Sequence, residues 1–226
     1  MRVVLGIVAV VAVLLAFVWM ALAPETHSWR QKLTLVVETP EGEVTGSSVT
    51  EVRVRFYGRA IGNEVEYDLT GEAAVVEVLP GRYLFALLEG NEELFYRAAK
   101  GRFLGKSRGE WLREIPEQTD PVILRGDQFP MLVTFDDIAQ PETVREVVDL
   151  YDLSSVFGRG VRLKAVTLEI TQEAATAGRV EGVLGSQFFE AWARALQAEV
   201  RKGDANENPY FESLASKMER RLFVVD

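Results

Sequence analysis

Residues 3 to 23, VVLGIVAVVAVLLAFVWMALA, contain no charged side chain, and the indole of Trp19 is their one hydrogen-bonding side-chain group. At about 1.5 Å per residue, a helix of this length matches the ~30 Å hydrocarbon core of a bilayer. Thirteen positions are Val, Leu, Ile or Phe, and at about −0.3 to −0.6 kcal/mol each they favour insertion by roughly 4 kcal/mol. The expected fate of residues 1–23 is therefore a transmembrane helix. The rival is a cleaved signal peptide, because Ala21-Leu22-Ala23 has the small-x-small form of a cleavage site. The run is longer than the ~7–15 residues of a signal-peptide core, and Pro24 would follow the cut without the N–H an extended protease substrate needs. We read the segment as an uncleaved anchor.

Within it, Ala9, Ala12, Ala16 and Ala23 fall within about 60° of one another on a helical wheel, with Gly6 further round on the same side. Small faces let helices approach closely in lipid, so a second copy or a helix of a larger assembly is an expected partner; the plain alternative is that this face meets lipid. Flanking charge is nearly balanced, with Arg2 and the terminal amine on one side and Arg30 and Lys32 on the other. Long domains translocate largely regardless of such charges. Residues 24–226 are expected outside the cytoplasm, in the periplasm if the cell is a bacterium, on an inner-membrane anchor.

The absence of cysteine removes disulfides, thiolate metal sites and cysteine nucleophiles, and the single histidine, His27, cannot build a multi-histidine zinc site. Leaving out Arg2, 24 Lys plus Arg face 34 Asp plus Glu, a net charge of −10 beyond the anchor. Such a surface repels phosphate polymers, so no nucleic-acid partner is expected.

From Gln31 the chain turns to period two, with Leu33, Leu35 and Val37 alternating with Lys32, Thr34 and Val36 up to the turn Thr39-Pro40-Glu41-Gly42. Val52, Val54 and Phe56 mark a second strand; Val65, Tyr67 and Leu69 a third; Ala73 to Val78 a fourth. Leu79-Pro80-Gly81-Arg82 is a turn leading to a fifth, Tyr83 to Leu88. Short helices broken at Gly101 and Gly105 follow. Strands resume at Met131–Phe135, Val144–Val148 and Arg162–Thr171, with a short helix expected over Asp149–Phe157. Phe188, Trp192, Leu196 and Val200 recur every fourth residue, the pattern of an amphipathic helix, and a second helix is expected over Tyr210–Arg221. The expected fold is mainly β (α+β). It divides into an anchor at 1–23, an antiparallel sheet or sandwich with short helices at 24–172, and a C-terminal helical extension at 173–226.

The strings WRQKLTLVVETP (29–40), GSSVTEVR (46–53), GRYLFALL (81–88), MLVTFDDI (131–138), SVFG (155–158) and LKAVTLEIT (163–171) together resemble a family of uncharacterised, membrane-anchored proteins of alphaproteobacteria. The resemblance covers residues 28–172 and leaves out the C-terminal helices. It implies a bacterial envelope setting and no activity.

The standard nucleophile and phosphate motifs are absent: no G-x-S-x-G, no S-x-x-K, no P-loop. His27, four residues past the apolar run, reads as a solvated or headgroup-level side chain. Asp136 and Asp137 at the end of the strand MLVTF, with Glu142 nearby, are the candidate metal or acid–base carboxylates; D-D-x-x-Q-P is equally the signature of a turn. Arg97, Lys100, Arg102, Lys106, Arg108 and Arg113 fall within 17 residues that hold one acid, Glu110, interleaved with Phe103 and Trp111. They are candidate contacts for anionic headgroups or an acidic partner, against the alternative of a solvated face paired with the protein's own acids. No cofactor is implied. The sequence points to a non-catalytic interaction or accessory module on a membrane anchor. The alternatives are a carboxylate- or metal-dependent hydrolase using Asp136 and Asp137, and a small-molecule- or glycan-binding β-sandwich.

Overall fold

The computed structural model describes Ala12 and residues 23–57, 64–201 and 213–226. The expected anchor, with Ala9 and Ala16, lies outside these residues apart from Ala12 and Ala23.

Two strands of 15 residues each, β1 (Glu25–Thr39) and β2 (Gly42–Phe56), pair antiparallel over their whole length, from Glu25 opposite Phe56 to Thr39 opposite Gly42. Period-two patterning dictates the arrangement: Trp29, Leu33, Leu35 and Val37 face inward together with Val52 and Val54, leaving mostly charged and hydroxyl side chains, with Val36 and Val49, on the other face. At the turn, Thr39 Oγ1 accepts the Glu41 N–H at 3.2 Å and donates to the Gly42 carbonyl at 2.8 Å, and Gly42 adopts φ 133°. β1 begins six residues before the alternation becomes readable at Gln31. Its polar first residues are held in register by Val52, Val54 and Phe56.

The hairpin is the centre of a six-stranded antiparallel sheet of order β10-β3-β2-β1-β9-β6. The added strands are β3 (Val65–Glu72), β6 (Val122–Ile123), β9 (Arg162–Thr171) and β10 (Val224–Val225). A four-stranded antiparallel sheet, order β4-β5-β7-β8, comprises β4 (Ala74–Leu79), β5 (Arg82–Ala86), β7 (Leu132–Phe135) and β8 (Val144–Glu146). The mainly β, antiparallel α+β expectation is thus met.

The small sheet is covered on both sides. Val76, Val78, Leu84, Ala86 and Leu132 join Leu35, Val37, Val52, Val54, Val166 and Leu168 of the large sheet in one core. That core is closed by Leu94 and Phe95 of α1 (Leu94–Ala98) and Trp111 and Leu112 of α2 (Arg108–Glu114). On the reverse face, Val75, Phe85, Leu87, Val133 and Phe135 meet a second apolar cluster from the C-terminal section: Val180 of α4 (Arg179–Leu184), Phe188 and Trp192 of α5 (Phe188–Arg201), then Ala215, Met218 and Phe223. Phe135 sits among Phe85, Phe188 and Trp192 at ring-centroid distances of 5.7, 5.6 and 6.2 Å, all near edge-to-face. The architecture is therefore three layers, large sheet, small sheet and helices. Among the described residues, α4, α5 and residues 213–223 supply the third layer, and Val224–Val225 return to the edge of the first as β10.

Two expected helices are shorter than their patterns. Only Ser154–Phe157 (α3) of Asp149–Phe157 is helical, because the Asp149 and Asp152 carboxylates accept the N–H groups of Tyr151, Asp152 and Ser154 in turns that compete with the helix. In the described part of Tyr210–Arg221 the α-helix is Leu214–Lys217 (α6), after which the backbone extends at Met218.

The two sheets come into backbone contact at Gly46, where a Cβ would lie 2.0 Å from the Val75 carbonyl oxygen. Backbone cannot yield there without parting β2 from β4. Gly46→Ala is expected to lower the unfolding free energy by about 2 kcal/mol or more. Urea unfolding checks this, and an unchanged midpoint would mean that the two backbones do not meet at Val75.

Candidate functional site

The basic stretch is organised by α2 at the open end of the β1–β2 hairpin. Its first turn is set by Ser107, whose N–H and hydroxyl both donate to Glu110 Oε2, at 2.7 and 2.6 Å. Gly109 packs on Phe56, the register partner of Glu25, and a Cβ at Gly109 would stand 3.0 Å from that ring. Arg113 Nη1 reaches Glu25 Oε2 at 2.9 Å. Thus α2 is fastened to the first residue of β1, just past the end of the apolar run.

The six basic residues of the stretch have different fates. Lys106 pairs with Glu114, Arg113 with Glu25, and Arg108 lies 4.0 Å from Glu93. Arg102 donates to Gln118 Oε1 and to the carbonyls of Asp120 and Pro121, at 3.2, 3.0 and 3.3 Å. Arg97 and Lys100 are exposed and have no ion pair among the described residues. The interleaved aromatics Phe103 and Trp111 face the core, where Trp111 stacks on Tyr96 at 4.2 Å. The apolar side chain offered outward is instead Leu104, 75% exposed between Arg102 and Lys106.

His27 lies within β1 rather than in a stalk. Its side chain is 15% exposed, with Nε2 3.5 Å from Glu25 Oε2. The sequence placed it in solvent because nothing before Gln31 announces a strand.

Asp137 belongs to a turn: Oδ1 accepts the Ala139 N–H at 2.9 Å, Oδ2 accepts from Gln140 Nε2 at 2.8 Å, and its own N–H donates to Thr143 Oγ1 at 3.0 Å. Asp136 pairs with Arg145 at 3.2 Å, and Glu142 is exposed in the short 3-10 turn Pro141–Thr143. Among the described residues no three side chains suited to metal binding converge.

One buried structural carboxylate escaped sequence reasoning. Glu72, at the end of β3, is 4% exposed and accepts the N–H groups of Gly178, Arg179 and Val180 at 2.6, 2.8 and 3.0 Å. These are otherwise unpaired donors of the first turn of α4. No local signal reveals this, since the partners lie more than a hundred residues away. Nearby on the same strand, Tyr67 donates its hydroxyl to Glu93 Oε1 at 2.7 Å. Burial first, and then the Glu93 carboxylate, hold that phenol well above its ordinary range, so it stays a donor at any physiological pH.

Neither family models, nor curated proteins, nor solved structures contain a match to this chain.

Two outcomes are expected from these contacts. Glu72→Ala leaves three N–H groups without their acceptor and should cost about 3 kcal/mol, read by chemical unfolding; a loss below about 0.5 kcal/mol would deny Glu72 a fastening role. The Ser107 hydroxyl and N–H hold the Glu110 carboxyl below its ordinary value. A carboxyl depressed in the folded state stabilises fully above its unfolded value and loses that contribution as pH falls through the lower, folded one. The Ser107 amide proton should therefore titrate below the ordinary glutamate range by NMR, and the titration should vanish in Glu110→Gln.

Proposed function

We propose that residues 3–23 anchor the chain in the inner membrane and that residues 24–226 stand in the periplasm as a non-catalytic interaction module. The module rests on the bilayer by its α2 end and serves a larger membrane assembly. The observation that carries this reading is the clasp of Arg113 on Glu25. Glu25 follows the apolar run by two residues, so whatever surrounds α2 lies at the level where the chain leaves the lipid. Between α1 and α2 the chain carries the unpaired Lys100 and the exposed Leu104, while the Arg97 guanidinium turns to Gly90. Cations near an anionic surface contribute about 1 kcal/mol each, and a leucine among them adds apolar contact at the acyl boundary. The hydrolase alternative asks Asp136 and Asp137 to turn toward a common substrate. Asp137 instead accepts hydrogen bonds from Ala139 and Gln140 within the turn, and Asp136 forms an ion pair with Arg145 of β8.

The chain has no cysteine, so a single introduced thiol reports one position. At Ile123→Cys, an exposed site, a membrane-impermeant thiol reagent should label cells once the outer membrane is opened; labelling only after inner-membrane lysis would overturn the topology. An environment-sensitive dye at Leu104→Cys should shift to the blue in vesicles containing phosphatidylglycerol and not in purely zwitterionic ones. Equal spectra in both would overturn the surface contact.

A further inference from the structure

We infer that the outer edge of β3, over Val65–Thr70, is a docking site for an extended, lysine- or arginine-bearing segment of a partner protein, which adds to the large sheet as a further strand. The inference deepens the interaction-module reading and rests on it for its biological use, though not for its chemistry.

β10 pairs with Gly71 and Glu72 alone, so the rest of β3 has no strand on its outer side among the described residues. The backbone phase of that edge is fixed at both ends. The Glu64 carbonyl accepts the Tyr57 N–H on the β2 side at 3.0 Å, and the Ala73 N–H donates to Phe223 on the β10 side at 2.7 Å. The register between β2 and β3 runs unbroken from Thr50 opposite Gly71 to Phe56 opposite Val65. Because residues of an antiparallel strand bond alternately to either side, Val65, Tyr67 and Leu69 turn their N–H and C=O groups to the open side. A ready-made template of this kind is what strand addition uses, and β10 already occupies its first two positions.

The space beside this edge is open and shaped. A trough of about 630 Å³ runs between β3 at Tyr67–Thr70, the loop at Leu88–Glu92, and Arg221 to Asp226. Tyr67, Leu69, Leu88 and Leu222 give it apolar parts. Its charges are mostly cancelled: Asp68 pairs with Arg55, Arg53 with Glu51, Arg221 with Glu219 and Asp226 with Arg220. Glu89 and Glu92 have no ion pair among the described residues; the Arg97 guanidinium lies against Gly90 between them and offsets one of the two charges. The uncompensated charge on the trough is therefore negative, which selects a basic occupant. A second copy fits poorly, because its own β3 edge, Val65–Thr70, carries no lysine or arginine to meet Glu89 and Glu92.

The test uses the full chain in neutral detergent and two labelled eight-residue probes, (Lys-Val)4 and (Glu-Val)4, read by fluorescence anisotropy. (Lys-Val)4 should bind at least tenfold more tightly than (Glu-Val)4. Glu89→Gln combined with Glu92→Gln, both at the surface, should weaken it at least threefold. N-methylation of one alternate set of its residues should weaken binding at least tenfold, while methylation of the other set changes it less than twofold; charge adsorption alone would not distinguish the sets. Hydrogen exchange at the Tyr67 and Leu69 amides should slow on binding. Absence of (Lys-Val)4 binding at millimolar peptide, indifference to which set is methylated, or self-association of the chain through β3 would each overturn the inference. A chain that fails these tests yet still co-purifies with envelope proteins would keep its module role and lose this site. A chain that binds the peptide but resides elsewhere would keep the site and lose the envelope reading.

Discussion

A sheet that is apolar on both faces cannot stand until both are covered, and in this protein that sheet is β4-β5-β7-β8. Its inward row is matched by the long hairpin and β9, its reverse row by Phe188, Trp192, Met218 and Phe223. The covers are fastened to one another as well as to the sheet. Glu72 belongs to the large sheet, yet its carboxylate holds the first turn of α4 in the helical layer. Gly46 lets the large sheet come down onto Val75. The small sheet is gripped between layers that are tied together around its edge.

The outward face of the large sheet is organised differently. Arg30 with Glu51, Lys32 with Glu173, Arg55 with Asp68 and Arg162 with Glu38 form charged pairs across neighbouring elements. Exposed pairs of this type contribute little, typically ~0–1 kcal/mol, but they keep a broad face wetted. Under the proposed anchoring, β1 rises from the lipid at Glu25 to its turn at Pro40-Glu41, a reach of roughly 50 Å at ~3.3 Å per residue.

The alternation of Leu33, Leu35 and Val37 was enough to read the second half of β1, and that of Val52, Val54 and Phe56 the end of β2; Gly42–Thr50 and the pairing of the two strands were not read. The double burial of the small sheet was also written in the chain, as the unbroken apolar runs Ala73–Val76 and Leu84–Leu88, which is how strands covered on both faces read. What could not be read depends on partners distant in sequence. The first residues of β1 are strand only because β2 pairs with them, and Val224–Val225 is strand only because Gly71 and Glu72 are there to receive it. The basic stretch was legible as composition. Its attachment to Glu25 was not, because 88 residues separate Arg113 from its acceptor. Asp136 and Asp137 stood out by type, and Thr143, which completes their turn, did not.

Phe223 and β10 come last among the described elements, while the surfaces they cover belong to strands made far earlier. During synthesis the hairpin and the first core can form while the reverse face of the small sheet, with Phe85 and Phe135, is still bare. A chain that stops short of Phe223 therefore leaves Phe85 and Phe135 without one of the rings that cover them, and apolar surface left open in this way is prone to aggregate.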